Sequence, residues 1–347
     1  AIVARHFIEG GDAERGALHS GEAARQAQRR GAFRDAIEHA RKRVECYEAL
    51  APTDDLERKI VDARTTLAAY QLALTDLVGA HEAVRGVLDI ADRRGYRDRL
   101  PGAYVPLGVY RLWVEEDFAT GVHYLEEAAR LSELAGNGVW RWYASYFLGA
   151  HLTWDCEFER AQQWLESALR MSSAARNTAG LVDVQGLMAM REAYRGRVDV
   201  AYPLSFKCLQ MARDDNNTQA RLIAHACHGV CCYFRGALDE AKETLRNGLA
   251  LAEQVPQPLW EAQMWFTLGN SHGDLGEHRE ALDCYERGAA TLEAGRLWPS
   301  IVQLLRLCAA RATTRAGVRE IDLNALPERL QSNKIRLWNG FMAHDIA

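Results

Sequence analysis

The sequence predicts an all-α fold in which antiparallel helix pairs, with a period of about 40 residues, stack into a right-handed superhelical solenoid. Three observations carry that expectation. A small residue recurs as Ala36, Ala83, Gly121, Ala161, Ala201, Ala241 and Ala281, and the last four intervals are each 40 residues. A glycine precedes four of these positions, as Gly31, Gly196, Gly236 and Gly276, where a chain leaving a helix with positive φ is best served by glycine; Cys156 takes its place in one unit. Eight prolines in 347 residues leave long stretches free to be helical. A fixed period of this length marks a repeat array, in which each unit buries its apolar face against the next.

The elements follow in order. In residues 1–50, Gly10-Gly11-Asp12 and Gly31-Ala32-Phe33 mark turns about 20 residues apart, so each segment between turns is one long helix leading into the array. The first repeat interval, from Ala36 to Ala83, is 47 residues; it holds Ala51-Pro52-Thr53-Asp54-Asp55, which reads as a helix stop, a loop and an Asp N-cap. Residues 51–297 form the repeats proper. After Trp298-Pro299 the pattern weakens: a helix over 300–314, a turn at Ala316-Gly317, a shorter helix from Asp322 to Gln331 and a last helix to the end make 298–347 a truncated C-terminal repeat. No linker divides the chain. It opens inside a helical pattern and closes without a stop signal, so a fragment of a longer polypeptide is expected.

Composition excludes several function classes. Hydrophobic residues make up 48% and charged residues 26%, a soluble globular balance, and no run approaches eighteen apolar residues, so no membrane span is expected. A net charge of −5 from 42 basic and 47 acidic residues leaves no electrostatic footprint for nucleic acid or an anionic membrane. The basic stretch from Arg25 to Arg43 reads as a solvated helix face. Eight cysteines without the compact spacing of a stapled secreted domain point to a reducing cytoplasm.

The clearest unit runs Trp265-Phe266-Thr267-Leu268-Gly269-Asn270, then Gly276-Glu277-His278-Arg279-Glu280-Ala281-Leu282, then Tyr285. It resembles the tetratricopeptide repeat. The Leu-Gly pair recurs as Leu148-Gly149 and, displaced by one residue, as Leu107-Gly108. A standard unit of this kind has about 34 residues, so each helix here must be longer by most of a turn; HEAT and armadillo units, of about 40–47 residues, are the structural rival. The opening His6-Phe7, Gly10-Gly11-Asp12 and Gly31-Ala32-Phe33 segments are similar to the start of the helical arrays that follow the ATPase module in bacterial multidomain signalling proteins, nucleotide cyclases and STAND-type regulators among them. That resemblance implies a nucleotide-binding domain upstream.

Catalytic and nucleotide-binding motifs are absent: there is no phosphate loop, no strand-borne G-x-G-x-x-G, no H-E-x-x-H and no G-x-S-x-G. No cofactor and no enzymatic activity are expected. Paired carboxylates such as Glu115-Glu116, Glu126-Glu127 and Asp214-Asp215 read as solvated caps. One cluster invites a metal: His225, Cys227, His228, Cys231 and Cys232 fall within eight residues. His225, His228 and Cys232 share one helix face and Cys227 with Cys231 another, so the helix offers two or three of the four ligands zinc needs, with Cys208 a source for another. The same positions align with the interhelical packing seam of other repeats, and packing is the reading preferred.

Function is therefore sought on the concave face of the first helix of each pair. The inward positions are Trp113, Tyr143, Tyr146, Trp154, Met190, Tyr194, Tyr233 and Asn270, a set rich in aromatics and short of cations. Trp140, Trp142, Tyr143, Tyr146 and Phe147 are too many for one buried stripe; they either fill the solenoid core or meet a ligand. Asn270 occupies the place from which tetratricopeptide proteins hydrogen-bond a peptide backbone. The cationic carboxylate clamp known in that family is disfavoured, because Phe266, Ala226 and Gly186 stand where it needs Lys or Arg. The expectation is a non-catalytic interaction scaffold that binds a protein, a peptide or its own upstream domains. The alternative is a dimeric sensor of a small molecule or peptide.

Overall fold

The computed structural model describes residues 1–214 and 217–317. Among the described residues there are seventeen helices and no strand. The predicted helix at Asp322 to Gln331 and the one after it lie outside the described residues. Contacts divide the chain into two compact units, Ala1–Ala144 and one beginning at Ser145.

The first unit holds α1 (Ile2–Glu9), α2 (Ala13–Arg29), α3 (Phe33–Glu48), α4 (Asp54–Ala73), α5 (Leu77–Val84), α6 (Val87–Arg94), α7 (Pro101–Trp113), α8 (Phe118–Leu134) and the start of α9 (Gly138–Trp154). The helix that should pair with α4 is broken at Arg85-Gly86, where Gly86 has φ +77° and opens α6. The long first interval comes from α4 itself, which has 20 residues, and from the loop through Pro52. The cap there is Thr53, whose Oγ1 accepts from the Leu56 amide at 3.2 Å, rather than the predicted aspartate. Threonine stands one residue before helical φ,ψ begins, which is where a capping oxygen can reach the third amide.

The second unit is more regular: the rest of α9, then α10 (Phe158–Ala174), α11 (Thr178–Tyr194), α12 (Val198–Asp214), α13 (Thr218–Phe234), α14 (Leu238–Ala252), α15 (Pro258–Asp274), α16 (His278–Gly295) and α17 (Pro299–Arg315). Helices α9 to α13 have 17 residues each and begin 20 residues apart, which produces the 40-residue period. Two first helices pack both on their partner and on the first helix of the next pair: α11 on α12 and α13, and α13 on α14 and α15. The fold is a tetratricopeptide-like helical repeat.

Two kinds of glycine make that packing possible. Gly31, Gly196, Gly236 and Gly276 all have φ between +73° and +81°, and Cys156, their replacement, takes φ +60°. The Leu-Gly glycines allow close approach within a pair. A Cβ on Gly149 would come within 2.6 Å of the Leu165 side chain, and one on Gly269 within 2.6 Å of the Tyr285 ring. The displaced Gly108 meets Leu125 in the same way at 2.8 Å.

Candidate functional site

The aromatic positions fall into separate environments. In the first unit, Trp113 is only 2% exposed and belongs to the core beside Val109 and Leu112. Tyr143 is half-buried and packs on Trp140 and Trp142, with ring centroids 5.7 and 5.3 Å away.

In the second unit several of the predicted residues come together. Trp154, at the end of α9, meets Trp298, just before α17, edge to face at 4.7 Å. Tyr194 contacts Phe234 at 5.4 Å, and Phe234 contacts Tyr233 at 5.4 Å. Burial pushes the Tyr194 phenol well above its ordinary value; neighbouring Cys227 and Cys231 add to the shift, and the Trp154 indole opposes it. Tyr146 is buried and shifted upward in the same way, with Asp183 and Cys227 contributing. Met190 has no exposed surface and serves as core. Asn270 stands apart from this cluster: its Oδ1 accepts from the Tyr285 hydroxyl at 2.8 Å, which fixes the amide and leaves Nδ2 to donate elsewhere.

Asp183 is the residue that sequence reasoning missed. It precedes Met190 by seven residues and Tyr194 by eleven, so at 3.6 residues per turn the three share one stripe of α11. Its charge is felt by Tyr146 of α9, Cys208 of α12 and Cys227 of α13. Its Oδ1 is buried without a hydrogen-bond partner, and burial alone raises its carboxyl from the usual range to about 7. A half-buried carboxylate whose inner oxygen lacks a donor and which has no cation beside it is costly, and such groups concentrate where ligands bind. The signal in the sequence was an acidic residue in the register of Met190 and Tyr194, between Val182 and Val184.

The His/Cys cluster divides over three faces of α13. Cys227 and Cys231 face α11: Cys227 fills the space left by Gly186, and Cys231 packs among Ala189, Ala193 and Ala201. Burial pushes the Cys231 thiol up to about 12 and Cys227 well above its ordinary value, so both are un-ionised packing groups. Cys208 lies near these two and reaches Gln185 at 3.9 Å, away from the histidines. His225 lines a surface cleft with Arg213, Arg221 and Asn247. His228 and Cys232 remain together, with Nε2 and Sγ 3.5 Å apart, and they face Glu240 of α14.

Among the described residues no helix is long and apolar enough to cross a membrane. No family model and no curated protein sequence matches the chain. Solved structures do. The chain is similar to a Rap protein in complex with competence and sporulation factor, with a TM-score of 0.70 and 15% identity over 95% of this chain and 90% of that one. It is similar to NprR in complex with its cognate peptide NprX, with a TM-score of 0.65 and 14% identity over 95% and 96% of the two chains. A third likeness is to the apo form of the quorum sensor NprR from B. thuringiensis, with a TM-score of 0.60 and 14% identity over 94% and 91%. At these identities the shared property is the tetratricopeptide-like fold.

Proposed function

We propose that the chain is a non-catalytic regulatory scaffold that binds a peptide, or a peptide-like segment of a protein, on the α11 stripe of its second unit. The observation that carries this reading is Asp183, a half-buried carboxylate whose Oδ1 is buried without a partner and which has no cation beside it, set on the same stripe as Tyr194 and close to Tyr146. A lysine, arginine or amino-terminal ammonium of the ligand would supply the missing charge. Tyr146, Trp154, Tyr194 and Tyr233 would cover its apolar part, because aromatic side chains bring large contact area at low entropic cost. Two proteins of the same fold, the Rap protein and NprR, are described in complex with competence and sporulation factor and with a cognate peptide, which supports the ligand class. A cytoplasmic bacterial setting and attachment to an upstream ATPase or cyclase belong to the same reading. Ligand binding would then bias that domain between two states by its differential affinity for them.

The test is selection from a synthetic decapeptide library by the immobilised chain and by Asp183→Asn, a nearly isosteric change that removes the buried charge. Peptides retained by the native chain should be enriched in basic residues, and Asp183→Asn should lose that enrichment while keeping its helical circular dichroism. Equal enrichment by both proteins would remove Asp183 from recognition. A small apolar ligand is the second reading, favoured by Trp154 and Trp298 being 5% and 3% exposed. Retention of no peptide, with quenching of tryptophan fluorescence by apolar small molecules, would select it.

A further inference from the structure

We infer that His228, Cys232 and Glu240 form a site for a zinc-like divalent cation, which would tie α13 to α14 within one repeat. Nε2 of His228 lies 3.5 Å from Cys232 Sγ and 3.5 Å from Glu240 Oε1, and the three donor atoms all fall within 4.8 Å of one another. Tetrahedral zinc, with bonds of about 2.0–2.1 Å to nitrogen and oxygen and about 2.3 Å to sulfur, has N···S edges of about 3.6 Å and N···O edges of about 3.4 Å. Both edges from the imidazole nitrogen therefore already stand at tetrahedral spacing, and the Cys232–Glu240 edge, within 4.8 Å, needs at most a small side-chain adjustment.

The surroundings orient each ligand. Nδ1 of His228 is 2.9 Å from Ser205 Oγ, and the Ser205 hydroxyl donates to the Tyr202 carbonyl at 2.9 Å. With its one hydrogen used there, Ser205 accepts from Nδ1–H, which leaves the imidazole lone pair on Nε2, facing Cys232 and Glu240. A second hydrogen bond of this kind is how metal-ligating histidines are held. The rings of Tyr202 and Phe206 flank the imidazole at 5.2 and 5.7 Å, and the Tyr202 hydroxyl donates to Glu240 Oε1 at 2.7 Å.

Charge also balances. The Cys232 thiol gives up its proton as the metal–sulfur bond forms, and thiolate plus carboxylate neutralise a doubly charged ion. The Glu240 side chain is 40% exposed, which marks the solvent side, where water completes the coordination. The site is separate from Asp183, so either can fail alone.

The experiment is titration of the reduced, chelator-stripped chain with cobalt(II), followed by zinc. One equivalent should give a thiolate-to-cobalt charge-transfer band with strong tetrahedral d–d absorption, release about one proton per ion, and be displaced by zinc. Cys232→Ser should abolish the charge-transfer band, Glu240→Gln should weaken cobalt binding at least about tenfold, and Cys46→Ser, in the other unit, should leave both unchanged. Absence of the band in the folded native chain, or its survival in Cys232→Ser, would overturn the assignment. Should Cys232→Ser fail to fold, the partly exposed Glu240 decides: unchanged cobalt affinity in Glu240→Gln overturns it equally.

Discussion

Two glycines four residues apart on α15 face opposite demands. A Cβ on Gly269 would come within 2.6 Å of the Tyr285 ring, while one on Gly273 would have its nearest atom, the Tyr285 hydroxyl, at 3.8 Å. Gly269→Ala should therefore destabilise the protein by about 1–3 kcal/mol through overpacking. Gly273→Ala should be stabilising by up to about 1 kcal/mol, because alanine loses less entropy than glycine on entering a helix. Urea denaturation of the two variants checks this, and equal effects would show that the Leu-Gly glycine does not set the distance between α15 and α16. Gly269 was legible in the sequence because its demand is local and recurs with the repeat. Asp183 was not: a single acid between two valines looks like any solvated helix position, and its isolation emerges only when α9, α12 and α13 surround it.

At the scale of the element, helix starts are set by short side chains placed where they can reach the third amide of the helix. Asn137, Asn177 and Asn217 recur every 40 residues, and their Oδ1 atoms accept from the backbone amides of Trp140, Gly180 and Ala220 at 3.3, 3.1 and 3.0 Å. Asn177→Ala and Asn217→Ala should each cost about 1 kcal/mol. The cap position before α14 is Ala237, which offers no such bond, so Ala237→Asp should be stabilising by a similar amount. Thermal midpoints of the three variants at one pH report the difference, and a cap-independent result would place the helix starts under tertiary control. The elements themselves were legible because apolar spacing, turn glycines and the 40-residue period agree with one another. The asparagine caps carried the same period and could have been read with them. What α13 presents on each face was not legible, since spacing groups His225 with His228 and Cys232, whereas α14 supplies Glu240 to only two of the three.

Across the whole molecule, buried titratable groups of opposite sense shape the response to pH. Burial lowers His151 and His225 to about 4 and lowers His228 as well, against about 6.5 in an unfolded chain. Between those values the unfolded state binds protons that the folded state refuses, so their contribution to stability is lost as pH falls from about 6.5 toward 4. Asp183 acts in the other direction. Its folded pKa is about 7 against about 3.9 unfolded, so its contribution is fully present below about pH 4 and is lost as pH rises through 7. Burial lowers His39 and His81 as well and raises a second carboxylate, Glu261; five histidines outweigh two carboxylates, and the native chain should lose stability as it is acidified below pH 6.5. Asp183→Asn removes one part of the opposing slope. Its urea midpoint should exceed that of the native chain at pH 8, where the unpaired carboxylate is charged, and the excess should shrink steadily through pH 6.5 to pH 5. A constant offset at all three values would mean that Asp183 is already paired or solvated in the folded chain, and would remove the physical basis for a basic ligand at that position.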